Sequence, residues 1–238
     1  YNRMNFRSSV DYDATSWLKV GFSGVFSRSK QILPNNSAWQ VAFNAPSIFP
    51  VYDETNDKTF PNKYTSPGTV GFTGNFYNPI AVANYYNSNN ETRQFLTNMY
   101  AQFNFIPEKL FFKTNINYNT QSIQGRSFTP TYYVSSWQQQ AVSQLTKSTT
   151  NIDNYIWDNT LTYKDSFGKH NYGAMVGMSM REENYRFLSG SASNVPEGND
   201  EYLYLNKGDS KGVTLSDNGT TYRGLSYFAR LNYDYASK

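Results

Sequence analysis

The sequence predicts an all-β chain, part of a large antiparallel transmembrane β-barrel with about seven strands, joined by short periplasmic turns and long extracellular loops. Three observations carry that expectation. Apolar and polar residues alternate with period two over stretches of about ten residues. The connections between those stretches alternate between a few residues and a few tens, and the charges within them keep to one parity.

The first stretch sets Met4, Phe6, Val10 and Tyr12 against Asn5, Arg7, Ser9 and Asp11. After a break at Ala14-Thr15-Ser16 the pattern resumes, with Leu18, Val20, Phe22 and Phe26 against Lys19, Gly21, Ser23 and Ser27, which reads as a hairpin. Alternation then dissolves over residues 30–90, a stretch rich in Pro, Asn, Ser and Gly. It is far longer than the roughly 15 residues usual for a loop in a compact domain, so it is either functional or disordered. Its many rings, Trp39 and Phe43 among them, argue for order, because disordered segments are poor in aromatics.

Alternation returns with Phe95, Met99, Ala101, Phe103 and Phe105, turns at Ile106-Pro107-Glu108-Lys109, and continues with Phe112, Thr114, Ile116 and Tyr118. A second loop, residues 123–149, carries Tyr132, Tyr133 and Trp137. A third hairpin pairs Tyr155, Trp157, Leu161 and Tyr163 with Tyr172, Ala174, Val176, Met178 and Met180 across a turn at residues 165–169. A third loop follows over residues 186–222, then a last strand with Leu225, Tyr227, Ala229, Leu231, Tyr233 and Tyr235 on one face. Another tight turn is expected at Ala236-Ser237-Lys238.

A soluble sandwich also alternates, so the choice rests on other features. Stretches of about ten residues match a strand crossing a bilayer at a tilt, whereas soluble strands peak near five or six. Arg7, Asp11, Lys19, Lys113, Asp158, Arg181 and Arg230 all fall on the polar parity, which is expected to face the lumen. Glu91, Arg93, Asp153 and Glu182 have the apolar parity but sit at loop-side ends, where a charge costs little; at mid-bilayer a Lys or Arg costs about 2–4 kcal/mol. Rings at Tyr12, Trp17, Tyr118, Tyr163, Tyr172, Tyr233 and Tyr235 are expected to form an interfacial girdle near the short turns.

Composition narrows the function classes. With 21 Tyr and 17 Phe the chain is rich in rings, yet its mean hydropathy is −0.68. No apolar run approaches the roughly 18 residues of a spanning helix, which excludes helical insertion but not a barrel. Net charge is +3 with the basic residues scattered, a poor footprint for nucleic acid. There is no cysteine, and the single His170 lies beside a short turn without nucleophile or acid partners, so enzymatic activity is not expected. Asp53 and Asp57 could offer oxygen ligands to a structural Ca²⁺, though without EF-hand spacing; no other cofactor is expected. The opening Tyr1-Asn2-Arg3 shows no signal peptide, and an odd strand count cannot close a bacterial barrel, so further sequence is expected outside residues 1–238.

Several phrases then suggest a family. Tyr1-Asn2-Arg3-Met4-Asn5-Phe6-Arg7 through Thr15-Ser16-Trp17-Leu18-Lys19-Val20-Gly21, the loop phrases Ala45-Pro46-Ser47-Ile48-Phe49-Pro50-Val51-Tyr52-Asp53 and Asn78-Pro79-Ile80-Ala81, the hairpin Asn159-Thr160-Leu161-Thr162-Tyr163 to Phe167-Gly168-Lys169-His170-Asn171, and Ser226-Tyr227-Phe228-Ala229-Arg230-Leu231-Asn232-Tyr233-Asp234-Tyr235 occur in order along the chain. Together they resemble the barrel of SusC/RagA-type TonB-dependent transporters of Bacteroidetes. The resemblance implies a 22-stranded outer-membrane barrel, of which residues 1–238 are part, filled by an N-terminal plug. It further implies energising through TonB, a SusD-like surface lipoprotein as lid, and import of glycan oligosaccharides or peptides. Within it, Trp39, Tyr132, Tyr133 and Trp137 are the candidates for contact with substrate or lid, since flat rings stack on sugars and fill interface hot spots. Two alternatives stay open: a soluble glycan-binding β-sandwich, and a structural or adhesive barrel without transport.

Overall fold

A computed structural model describes residues 1–73, 76–198 and 203–236. The elements are β1 (Asn2–Asp13), β2 (Leu18–Leu33), α1 (Ser37–Asn44), α2 (Pro79–Asn84), β3 (Asn87–Ile106), β4 (Leu110–Thr129), the two-residue strands β5 (Tyr132–Tyr133) and β6 (Gln139–Gln140), then β7 (Gln144–Phe167), β8 (His170–Ser193) and β9 (Thr214–Tyr235). Seven strands form one sheet in the order β1-β2-β3-β4-β7-β8-β9, antiparallel throughout, with β5 and β6 a separate hairpin. Each strand lies beside its neighbour in sequence, the up-and-down meander of the expected barrel wall. Of the turn expected at residues 236–238, Ser237 and Lys238 lie outside the described residues.

The strands run well past the stretches that alternate. β3 and β4 have 20 residues each, and β7 and β8 have 24, about twice what a bilayer crossing needs. The second and third loops, expected over 123–149 and 186–222, accordingly shrink to 130–143 and 194–213. The reason is chemical. Residues such as Ser122, Gln124, Thr146, Ser148, Thr150, Ser189 and Ser191 are polar on both parities, so they stay paired in the ladder without leaving a period-two signature.

Cross-strand partners point to the same side of a pleated sheet, so the register assigns every residue to a face. Asp11, Gly21, Tyr100, Asn115, Asp158, Ser179 and Ser226 form one continuous row. By the same pairing Arg7, Lys19, Lys113, Arg181 and Arg230 share that polar face. The side chains there bond to one another: Tyr100 donates to Asp11, Lys113 Nζ stands 4.5 Å over the Tyr100 ring, and Ser179 donates to Asp158. Gly21 is what lets Tyr100 cross the intervening strand, since a Cβ there would lie 2.1 Å from the ring.

The opposite face carries an apolar band about nine residues deep on each strand: Leu18 to Phe26, Phe95 to Phe103, Leu110 to Tyr118, Tyr155 to Tyr163, Tyr172 to Met180 and Leu225 to Tyr233. At ~3.3 Å per residue and a tilt of ~35–45° that depth is about 21–24 Å, near the ~25 Å apolar band of outer-membrane barrels. The band slips along the register: Leu18, at its edge on β2, stands in a row that passes through Phe103, Phe112 and Leu161 to Val176, well inside the band on β8. That slip is the stagger of tilted strands.

Rings border the band. Trp17 stacks with Phe103, Tyr163 lies against Tyr172, and Tyr233 meets His170 near the short turns. Tyr118, expected near the short turns, instead stacks on Tyr155 with centroids 4.6 Å apart at the far border, beside Asp153. The next residue outward on the same face is Arg28, Arg93, Asp153, Glu182 or Arg223 on five of the strands, and Thr120 on β4. The band therefore stops abruptly at charge.

The buried apolar cores lie at the loop-side ends of the strands and among the long connections. Phe128, Leu145 and Ala192, at the loop-side ends of β4, β7 and β8, close on Val195, Leu203 and Leu205 of the third loop. Gly208 is needed there, because a Cβ would sit 2.5 Å from the Ser193 carbonyl.

Replacing Val176, mid-band on β8, by Lys is expected to cost about 2–4 kcal/mol in lipid, whereas Ser179→Lys beside Asp158 on the polar face costs under about 1 kcal/mol. Urea unfolding of the protein in lipid vesicles checks both; equal costs would contradict the facial assignment.

Candidate functional site

Among the described residues a cavity of about 680 Å³ opens between the first and second loops. Asn78 builds it. This wholly buried amide caps α2 by accepting from the backbone N–H groups of Ile80 (3.1 Å) and Ala81 (3.2 Å), and donates to the Val51 carbonyl at 2.8 Å. Its backbone makes a two-way clasp with the buried Gln138 side chain: Asn78 N–H donates to Oε1 at 2.7 Å and Gln138 Nε2 donates to the Asn78 carbonyl at 2.9 Å. With a longer bond of 3.5 Å from the same Nδ2 to the Thr65 carbonyl, one residue joins three parts of the first loop and ties them to the second. Proline at the first helical position, where no N–H is missed, makes Asn-Pro a natural helix start.

Rings fill the space around that clasp. Tyr85 stacks on Tyr132 with centroids 4.2 Å apart, Tyr64 meets Tyr85 edge-on at 5.5 Å, and Tyr52 stacks on Tyr64 at 5.3 Å. Phe60 and Tyr133 exchange both backbone hydrogen bonds, each 3.0 Å, and stack their rings. Burial pushes the Tyr85 phenol up from its ordinary value, against the opposing pull of the Asn62 amide that donates to it, and burial likewise pushes Tyr132 up. The third loop joins through Glu197, which accepts from Thr131 N–H at 2.7 Å.

The walls of the cavity combine the rings of Phe76, Tyr77, Tyr85, Tyr86, Tyr132 and Trp137 with the amides of Asn35, Gln40, Asn44, Gln138 and Gln139, and none of the described lining residues is charged. Such a surface offers flat faces for stacking and neutral donors and acceptors. Its described lining contains no carboxylate, histidine, lysine or arginine.

Of the four rings singled out from the sequence, Tyr132 and Trp137 line this cavity. Tyr133 is turned to Phe60, and Trp39 stands on α1, 84% exposed, one helical turn from Phe43 at 89%. Asn78, Gln138 and Tyr85 were not singled out. Asn78 alone had a local signal, the helix-start dipeptide; the other two are set by pairing at long sequence separation. Asp53 accepts from Thr55 and Thr69 and is held below the usual carboxylate range, by the Thr55 hydroxyl above all, while Asp57 pairs with Lys63 at 2.8 Å and is likewise lowered. The two carboxylates are thus committed to different partners, and the described residues contain no group of three or more His, Cys, Asp or Glu able to hold a metal. The polar-face charges Arg7, Asp11, Lys19, Lys113, Asp158, Arg181 and Arg230 lie on the sheet, away from the cavity lining.

A meander of strands with one apolar band of bilayer depth, capped by folded loops, is the wall architecture of a transmembrane β-barrel. In sequence, the chain is 28% identical over 242 residues to TonB-dependent receptor P3 of Formosa agariphila, and 24% identical over 268 residues to TonB-dependent receptor P39 of the same organism. These alignments cover 99% and 100% of the chain but only 23% and 22% of the relatives. In structure, it resembles the RagAB peptide importer in its closed-closed state (TM-score 0.70) and its open-open state (TM-score 0.71), each at 18% identity, over 98% of this chain and 26% of that one. No family model matches. The likeness to SusC/RagA-type TonB-dependent transporters, first met in scattered phrases, thus extends along the whole chain, and its fold is that of the RagAB barrel region.

Two outcomes follow. Asn78→Ala, which removes the side-chain bonds to Ile80, Ala81 and Val51, is expected to cost roughly 2–4 kcal/mol of loop stability, seen as faster amide exchange over residues 76–86 with the sheet unaffected. Because the Tyr85 phenol is raised in the folded loop, its stabilising share is fully present below about pH 10 and lost as pH rises through the higher folded value. In protein labelled at the tyrosine ring carbon that bears the hydroxyl, the NMR resonance removed by Tyr85→Phe should titrate above pH ~10.

Proposed function

We propose that this chain is barrel wall and loop cap of an outer-membrane nutrient importer driven through TonB, with the polar face lining the lumen, the apolar band against lipid, and the long loops extracellular. The single observation that carries this reading is the uncharged cavity of rings and amides held at the loop end of a bilayer-matched sheet. Charged peptide side chains and termini would meet no counter-ion among the described lining residues, and they are costly to bury without one. An oligosaccharide presents apolar ring faces and neutral hydroxyls, which fit those walls. A neutral glycan is therefore the favoured cargo, with peptide, the cargo named for RagAB, as the second reading.

Trp39 and Phe43 then form the contact for a SusD-like surface lipoprotein, because two large rings on one exposed helical face suit an interface anchor. Lumen-side Arg7, Asp11, Lys19, Lys113, Asp158, Arg181 and Arg230 keep the wall wet and fixed rather than binding cargo. Coupling through a plug and TonB lies with parts of the transporter beyond this stretch of wall.

The test is binding and uptake by the intact protein with panels of neutral oligosaccharides and peptides. Tyr132→Ala or Trp137→Ala is expected to weaken the true ligand about five- to tenfold, since a lost ring contact is worth roughly 1 kcal/mol. Trp39→Ala should leave soluble-ligand affinity unchanged and weaken lipoprotein capture. Uptake of both panels unchanged by Tyr132→Ala and Trp137→Ala would remove the cavity from the transport route.

A further inference from the structure

The charges bordering the apolar band are unevenly distributed. On β7–β9 they occur as one-to-one pairs, Asp153 with Arg186 at 2.9 Å and Glu182 with Arg223 at 2.8 Å. On β2 and β3 a single carboxylate, Glu91, holds three cations: Arg28 through two hydrogen bonds of 2.8 and 3.0 Å, Arg93 at 2.8 Å, and Lys30 at 3.5 Å. Glu91 is largely covered, while Arg28, Arg93 and Lys30 remain 40%, 53% and 60% exposed. The group therefore carries a surplus of two positive charges whose positions are already set by a shared anchor. It stands immediately outward of Phe26 and Phe95 on the face of the apolar band.

We infer that Arg28, Lys30 and Arg93 form a binding site for the headgroup of an anionic lipid, the phosphate meeting the cations and the acyl chains lying along Phe26, Phe95 and Met99. The occupant follows from charge complementarity joined to continuity with the band. A soluble anion would have no use for the apolar floor, and a neutral lipid none for the surplus charge. Guanidinium groups present paired N–H donors to phosphate oxygens, and Glu91 removes part of the ordering cost by fixing two of them beforehand. The site rests on the reading that the apolar face meets lipid, and is independent of what the transporter carries.

Native mass spectrometry of the purified protein, released from nanodiscs holding equal dioleoylphosphatidylglycerol and dioleoylphosphatidylcholine, tests it. Each surplus cation near an anionic surface is worth roughly a factor of five, so retention of phosphatidylglycerol should exceed that of phosphatidylcholine by roughly 25-fold. The combined R28Q/K30Q/R93Q variant should fall to a preference within about threefold. The milder Arg93→Gln alone, which leaves the Arg28–Glu91 bonds, should lose about fivefold. Arg223→Gln, at a one-to-one pair, should change nothing. A folded protein without the preference, or a combined variant that keeps it, overturns the site, as does full displacement of the lipid by millimolar inorganic phosphate. Failure to enter nanodiscs at all would overturn the membrane reading together with the site, whereas entry without preference would sink the site alone.

Discussion

Uninterrupted cross-strand hydrogen bonding is the constraint on which the rest of this molecule depends. A sheet in lipid cannot leave backbone N–H and C=O groups unpaired, and from β2 to β9 neighbouring strands of the seven-stranded sheet pair along nearly their whole lengths. Because pairing is strict, the period-two alternation cannot drift from one face to the other. A one-residue slip would place Arg181 and Asp158 on the apolar side. The segregation of charge, the depth of the band and the position of its rims all descend from that register.

How far the sequence spoke for the structure depended on whether side chains had to choose a side. Within the band they did, so Phe95 through Phe103 and Tyr172 through Met180 announced both strand and face. Above the rim they did not. Thr149, Thr150 and Ser148 satisfy either surroundings, and pairing there is carried by the backbone and by neighbouring strands rather than by any local pattern. Tyr118 shows the same limit in miniature: a ring suits either border, and only its partner Tyr155 reveals which.

The cavity was half legible. Aromatic content announced that the first long loop was ordered, and Tyr132 and Trp137 belonged to its walls. What organises those walls is the Asn78–Gln138 clasp, formed between residues 60 apart in sequence by side chains unremarkable in composition. A buried amide of this kind is identified by its partners, which no spacing rule records. The same holds for the Glu91 group, where the sequence shows scattered charges and the fold shows three cations about one anion.

The extension of β4 and β7 beyond the rim has a mechanical consequence. Thr129, at the cavity wall, lies at the far end of the strand from Leu110, and the paired stretch between Tyr118 and Thr129 stands clear of the apolar band. Bilayers differ in thickness, and a span adjusts by tilting or by stretching the lipid around it, at fractions of a kcal/mol per ångström. A paired ladder of this height separates the cavity from the layer in which such adjustments take place. The walls above the rim are thus built from strand that need not match the thickness of the membrane below.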